Sequence, residues 1–510
     1  MRETLKRLAR FSAAYSLSAL IGPLFTVLLT PLYTRVLEPA DYGVVDVLMT
    51  LSALLVALAS VGMDQALSAH FFDRPEAEGG DGWRRNLSTT ALIIVGGLAL
   101  VAALLVAAFA EPLAQALFHD PARRVTVLLL AVNVASLPLY NLTIVALRLR
   151  MRVAQANLVS LVYLFGLIGA AIVLVLGLRL RATGIIAANA IASTLATAIG
   201  LAVGARGLRG QPSVSLGRAL LAVGVGALPA SIGLLVFNNI DRLLLTQFVS
   251  PTDLGLYSIA NKLSSMSYVV MSPVLAAWWP MALEMVNRPD APRQFARFFE
   301  YFLVAGCLLA LGIGLGAPEI LTWFTRDAYV PAAPYALALL AYNGPVGFAF
   351  AFLQVALVAR KRTGLISLAF LISAASNIVL NLILMPRIGV WAAVIATVVA
   401  GIIHTGILYR FAQRVYPVRY RWLRILVLLG GFAAIVLAFV AQPLPWPFWT
   451  RLLALALMVV LIFAVGVVTP AQVLDIARAA LRRLGRRPAP SSGTGRETLA
   501  PVKGQEDSPS

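Results

Sequence analysis

Two short stretches of this chain place ionisable groups where a bilayer would be. In the first, Asn238, Asn239, Asp241 and Arg242 close a long apolar run nine to thirteen residues before Pro251. In the second, Lys262 lies seven residues beyond Gly255, which is about 10 Å along a helix at ~1.5 Å per residue. A charge at a bilayer centre costs ~2.5–3.5 kcal/mol on insertion scales, so such groups are functional candidates by default. Ser258, Asn261, Lys262, Ser265 and Ser272 recur at helical spacing and form one polar face, which should turn toward protein or water. The chemistry open to such residues is the binding of an anion by cations in a wet cavity. An ion pair between Lys262 and Asp241 would lower the cost of burying either group, and would leave Arg242 as a free cation. The plainer alternatives are that Lys262 snorkels to the head groups and that Asp241 and Arg242 neutralise each other and nearby helices. Arg35 ends the first apolar run, as an interfacial anchor or as a further cavity cation.

The elements that must position these groups are membrane spans. Of 510 residues, 60% are hydrophobic and 12% charged, against about 25% charged in soluble chains. Apolar runs of the ~20 residues that cross a hydrocarbon core recur from Phe11 almost to Pro470. Fourteen helices are expected near 11–34, 43–69, 87–110, 125–147, 156–178, 183–205, 217–248, 254–280, 298–317, 333–358, 363–385, 389–411, 422–441 and 447–468. Breaks fall at Glu38-Pro39, Glu111-Pro112, Pro318-Glu319 and Pro443 to Pro447. Pro23 and Pro229 interrupt the first helix of each half and predict bends. Pro138, Pro273 and Pro345 lie in other spans.

The net charge of +19 would suggest nucleic acid in a soluble chain. Here the alternation of Lys and Arg between loops accounts for it. With the N-terminus inside, 31 of the 41 basic residues fall in inside segments and nine in outside loops. Both termini are then cytoplasmic, and a missed helix would destroy the alternation. The apolar stretch after Arg10 is too long for a cleavable signal. Cys307 is the single cysteine, and His70, His119 and His404 are scattered, so no metal or other cofactor is expected. The sequons at Asn86 and Asn141 read as chance. Asp64 is expected to cap a helix or to pair with Arg84 or Arg85. Asn343, Gln354, Asn377 and Asn381 suit hydrogen-bonded glue between helices better than cavity lining.

The chain also repeats itself. Pro39-Ala-Asp41-Tyr-Gly43 returns as Pro251-Thr-Asp253-Leu-Gly255, at an offset of 212 residues. Val145-Ala-Leu147 with Arg150 and Arg152 returns as Val355-Ala-Leu357 with Arg360 and Arg362, at an offset of 210. Gly184 with Ala187-Ala188 returns as Gly389 with Ala392-Ala393, at an offset of 205. An offset of six helices makes the repeat parallel, with its axis along the membrane normal. The expected fold is all-α and integral to the membrane. Two parallel-repeat six-helix bundles (helices 1–6 and 7–12) flank a central cavity, with two peripheral C-terminal helices. The expected divisions are 1–210, 211–415, 416–485 (two extra helices and a basic amphipathic end), and a disordered cytoplasmic tail at 486–510.

Several of these stretches resemble a known family. The run Pro31-Leu-Tyr-Thr-Arg35-Val-Leu-Glu-Pro39-Ala-Asp41-Tyr-Gly43 is similar to the start of bacterial polysaccharide exporters and O-antigen flippases of the Wzx type. So are Gly62-Met-Asp64-Gln-Ala66, Asp241-Arg242 followed by three leucines, and Gly255-Leu-Tyr257-Ser-Ile-Ala260-Asn-Lys262-Leu263. The resemblance spans about 1–415, and the wider superfamily includes lipid II flippases and multidrug and toxin extrusion antiporters. It implies translocation of a polyprenyl-pyrophosphate-linked oligosaccharide across the bacterial cytoplasmic membrane, by alternating access, for surface polysaccharide such as the O-antigen of lipopolysaccharide. Lys262, Arg242 and Arg35 would hold the pyrophosphate, with Asp241, Asn238, Asn239, Asn261 and Ser265 beside them. The implied partners are the lipid-linked oligosaccharide, membrane lipids and polysaccharide-assembly proteins, around a monomer.

Two other classes compete. A cation-coupled drug antiporter of the same superfamily would need buried carboxylates, in which the apolar spans read as poor. An O-antigen polymerase or ligase would need a large external loop with catalytic groups. The longest expected outside loop is under twenty residues, and no phosphate-binding glycine loop, metal triad or nucleophile motif occurs, so an enzyme is not expected.

Overall fold

The computed structural model describes residues 30, 31, 33–73, 80–286 and 288–468. The span expected near 11–34, apart from its last turn, lies outside the described residues with its Pro23. So do the amphipathic end from 469 and the tail at 486–510. Among the described residues the chain is helical throughout, without a strand. The first half contains α1 (Pro39–Ser60), α2 (Met63–His70), α3 (Gly80–Ala108), α4 (Ala110–Phe118), α5 (Arg124–Leu149), α6 (Val153–Ala171) and α7 (Arg181–Leu208). The second contains α8 (Val214–Leu245), α9 (Pro251–Met285), α10 (Ala291–Leu315), α11 (Ala317–Phe324), α12 (Ala333–Ala341), α13 (Gly347–Ala359), α14 (Thr363–Ile388) and α15 (Val390–Val415). Helices α16 (Trp422–Val440) and α17 (Phe448–Val465) follow.

Eleven of the described helical stretches are long and apolar enough to cross a membrane, or twelve if the two arms of α8 are one span. Helix α9 is not among them, although it has 35 residues. Its Ser, Asn and Lys residues dilute the apolar run. The fourteen expected spans are therefore not all counted among the described residues. Two of the expected breaks hold short helices instead of plain loops. Both α4 and α11 begin at an Ala beside the Glu-Pro or Pro-Glu pair, and each leads into a 3-10 turn, at Pro121–Arg123 and Asp327–Ala332.

The repeat is visible in the backbone. At the turn after α5, Met151 has φ +57°, and the amides of Arg150, Met151 and Arg152 bond the carbonyls of Ala146, Arg148 and Leu147. At the turn after α13, Lys361 has φ +56°, and the amides of Arg360, Lys361 and Arg362 bond Ala356, Val358 and Leu357. The two turns match bond for bond at the offset of 210 read from sequence. The match at Gly184 is looser, because Gly184 lies inside α7 while Gly389 precedes α15 with φ +54°.

The two halves meet along a seam. Helix α1 lies on α9 and on α8, so that Tyr42 and Val47 join the apolar core of the second half. At one end of the seam the two repeat motifs face each other. A Cβ on Gly43 would meet the Pro251 carbonyl oxygen at 2.8 Å, and one on Gly255 would collide with the Pro39 carbonyl. Only glycine lets two backbones approach this closely. At the other end, Gly62 (φ +62°) separates α1 from α2 and packs directly on Gly224 of α8.

Helix α8 serves both halves. It bends by 40° at Pro229, where proline removes a backbone bond. Before the bend, Leu216 and Leu220 pack with Met63, Leu67, Phe71 and Leu87 of the first half. After it, Gly233 approaches Leu371, and the Phe237 ring packs edge-on against Phe370 and tilted against His404 of the second. The segment between α7 and α8 is stapled to α3. The amides of Gly210, Gln211 and Ser213 donate to Thr89 Oγ1 (2.7 Å), Asn86 Oδ1 (2.7 Å) and Thr90 Oγ1 (3.1 Å). Asn86 thus has a structural task. Helices α16 and α17 lie against α10, and Arg451 of α17 pairs with Glu319 at 2.5 Å.

Candidate functional site at the seam

Below the Gly43–Gly255 crossing, α1 and α9 continue with matched polar positions. Three residues along stand Asp46 and Ser258, and seven along stand Thr50 and Lys262. Steps of three and four keep residues on one helix face, so this face of each helix follows the crossing. Ser258 and Thr50 are buried, and Lys262 and Asp46 are half-buried.

Arg242 of α8 reaches this face. Its Nε lies 2.7 Å from Asp46 Oδ2, with the side chains 12% and 19% exposed, so the pair is largely withdrawn from solvent. Its Nη1 donates to Asn239 Oδ1 at 2.5 Å. Asp241, one residue earlier, turns away. It accepts the Tyr257 hydroxyl through Oδ2 and the backbone amide of Arg242 through Oδ1, at 3.0 Å for the latter. Tyr257 is fully buried on α9.

This corrects the expected pairing. Lys262 does not pair with Asp241, and Arg242 is not a free cation. Depth along the helices brought Lys262 and Asp241 level, but the azimuth of α8 points Asp241 at Tyr257 and Arg242 at α1. Among the described residues, Lys262 has neither an ion-pair nor a hydrogen-bond partner. It borders a void of about 20 Å³ with Thr30, Met266, Phe324 and Thr325, room for about one water. Among the described residues, Asp46 and Arg242 are the charged groups close enough to act on it.

The remaining expected site residues scatter. The Nη2 of Arg35 donates to the Trp323 carbonyl at 3.1 Å at an exposed position. That carbonyl ends α11, where the helix dipole favours a cation. Thr34 bonds the Phe324 carbonyl (3.4 Å) and the Tyr329 hydroxyl bonds the Leu37 carbonyl (3.0 Å). Gln247 reaches the Ala116 carbonyl at 2.6 Å. Together these contacts close the Pro39 end of the seam. Asn238 is exposed and bonds its own helix at the Leu234 carbonyl. Asn261 is half-buried, and its carbonyl accepts from the exposed Ser265 at 2.8 Å. Asp64 pairs with neither Arg84 nor Arg85, because Arg85 turns to Asp81 and Arg84 to the Phe71 carbonyl. Asn343 donates to Ser264 Oγ at 2.6 Å, an interhelical bond of the kind expected. Asn377 and Asn381 are buried and bond each other at 2.9 Å.

Asp46 and Tyr257 were not among the expected site residues. Asp46 is an acid inside the apolar run Val44 to Leu58, the same signal that singled out Lys262. Tyr257 carries no such signal, since a tyrosine in a span is usually packing. An apolar cavity of about 420 Å³, between Phe299, Val346, Tyr409, Trp422 and Phe432, holds no charged group and is separate from this site.

The fold is helical and twofold-repeated, with charged groups at the seam between its halves. The chain aligns with the lipid II flippase MurJ in an inward closed conformation at a TM-score of 0.67 and 12% identity, over 92% of this chain and 99% of that one. It aligns with an inward-facing multidrug resistance MATE family transporter of the MOP superfamily at 0.57 and 14%, over 77% and 93% of the two chains. No curated protein matches it by sequence. The chain belongs to the polysaccharide biosynthesis protein family, whose model matches residues 8–286.

Proposed function

We propose that this protein is a flippase that carries a polyprenyl-pyrophosphate-linked oligosaccharide across the bacterial cytoplasmic membrane, as part of surface polysaccharide assembly. The observation that carries the reading is Lys262, a seam cation without a partner among the described residues, beside the Arg242–Asp46 pair. A buried cation without a partner is costly unless a ligand supplies the charge. Lys262 and Arg242 would take the pyrophosphate. Asn239, Asn261, Ser265 and Asn238 would offer neutral groups to the first sugar, and Arg35 would anchor the outer end. The Pro39 end faces the periplasm in this reading, and both termini the cytoplasm. Residues 1–210 and 211–415 rock against each other as two bundles, flanked by 416–485 and the tail at 486–510. No chemical step on the glycan is assigned to the protein, which works as a monomer alongside other assembly proteins.

Lys262→Ala should abolish surface polysaccharide in cells while the membrane content of the protein stays at the wild-type level. Undiminished polysaccharide in that variant would remove Lys262 from the mechanism.

The second reading, a cation-coupled drug antiporter, draws on one observation. Glu300 of α10 is 4% exposed and its Oε1 lacks a hydrogen-bond partner among the described residues, so the spans are less poor in buried carboxylates than their composition suggests. Drug resistance conferred on expressing cells, lost in Glu300→Gln, would favour it.

A further inference from the structure

We propose that Asp46 is an internal stand-in for the substrate's anionic head group, holding Arg242 until that head group displaces it and thereby unlocking the Pro39 end of the seam. This rests on the reading of the protein as a carrier of a polyprenyl diphosphate.

The location of the pair is the first argument. Asp46 stands on α1 of the first half and Arg242 on the second arm of α8, beyond the bend at Pro229. Among the described residues theirs is the one ion pair that joins the two halves. The other ties at that end run to backbone carbonyls: Arg35 to Trp323, Thr34 to Phe324, Tyr329 to Leu37 and Gln247 to Ala116. A neutral carbonyl is not repelled by an arriving anion. The carboxylate of Asp46 is repelled, and a phosphate competes with it for the same guanidinium, with the same sign of charge and a similar fork geometry.

The second argument is charge balance. Asp46, Asp241, Arg242 and Lys262 sum to zero, so the closed seam is neutral without substrate. Asp241 is held by Tyr257 and by a backbone amide, and is not free to take Asp46's place. Lys262, which has no ion-pair or hydrogen-bond partner among the described residues, can make a first contact. A diphosphate that lands on Lys262 lies near Arg242 and repels Asp46 across a poorly solvated gap. The Asp46–Arg242 contact lacks the alignment of a hydrogen bond, so less is lost on release than from a bidentate pair. Once Arg242 turns to the phosphate, α1 and α8 no longer share a charge tie and the Gly43–Gly255 crossing can part. Differential binding of this kind is what lets a ligand shift a conformational equilibrium.

The test uses full-length protein with Cys307→Ser and spin labels on cysteines at the exposed positions Glu38 and Asp327, one on each half. Electron double resonance reads the distance across the seal, and calorimetry reads binding of farnesyl diphosphate in detergent. In the otherwise unaltered protein the probe should shift the distribution to longer distances. Asp46→Asn should populate the long distances without probe and bind the probe about tenfold more tightly, equal to ~1.4 kcal/mol of removed competition. The exchange Asp46→Arg with Arg242→Asp keeps the pair and should restore the short distance, which covers the case in which Asp46→Asn fails to fold. If Asp46→Asn leaves both affinity and distances as in the parent, or the exchange leaves the seal at the long distances, while the parent binds the probe, the gating role is wrong and the flippase reading stands. Absence of binding to the parent protein overturns both.

Discussion

Helices α1 and α9 follow the same backbone plan but carry their charges at different levels. Each starts at a proline, each presents a glycine four residues later, and the two glycines meet. Below that contact, α1 carries Asp46 where α9 carries Ser258, and α9 carries Lys262 where α1 carries Thr50. The duplicated backbone closes the seam, whereas the chemistry inside it is not duplicated. At each of the two levels a neutral position on one helix stands where the other carries a charge, which suits a head group that must be gripped from one side and released to another.

The largest expected effect comes from breaking the charged side of this comparison. Arg242→Ala strands Asp46 with its charge buried and should cost about 3–5 kcal/mol of stability, read as a fall in the thermal unfolding midpoint of purified protein. Adding Asp46→Asn should recover most of the loss. Lys262→Ala removes a cation that has no partner among the described residues and should leave the midpoint unchanged or raised. If Lys262→Ala destabilised as much as Arg242→Ala, the asymmetry between paired and open cations would be wrong.

The symmetric side is tested at the glycines. Gly255→Val drives a branched side chain into the Pro39 backbone and should cost about 1–3 kcal/mol or more as overpacking. Gly312 has nothing within 4 Å of a built Cβ, so Gly312→Ala should stabilise by ~0.5–1 kcal/mol through helix propensity. Equal effects at the two sites would mean that the crossing is not tight.

Smaller effects sharpen the comparison away from the seam. Asn343→Ala loses the 2.6 Å bond to Ser264 Oγ and should cost about 0.6–1.7 kcal/mol, the range for hydrogen bonds between membrane helices. Thr90→Val removes one of three staples on the segment before α8. It should cost ~1 kcal/mol and should show as faster amide exchange at residues 210–213, with the rest of the chain unaffected.

Much of the fold could be read in advance, and the reasons are particular. The turns at Arg150–Arg152 and Arg360–Arg362 were marked by a repeated tripeptide and by arginines at matching places, and their backbones coincide. Pro229 announced its bend because a missing amide acts locally. The short helices α4 and α11 were hidden behind Glu-Pro pairs that read as breaks, since a proline at the first turn permits a helix as readily as it ends one. The staple from Asn86 was concealed by a sequon, because the same amide that could accept a glycan can accept a backbone bond.

What the sequence determined by itself was therefore the helical class, many of the span limits and the repeat. These follow from local rules: apolar length, proline and glycine chemistry, and a fixed rise per residue. Only the tertiary structure decided which charges meet. Asp241 went to Tyr257, Arg242 crossed to Asp46, and Lys262 was left without a partner among the described residues, because partnership depends on how each helix is rotated against its neighbours. That rotation is set by the Gly43–Gly255 and Gly62–Gly224 contacts and by the bend at Pro229, which act across the whole width of the fold.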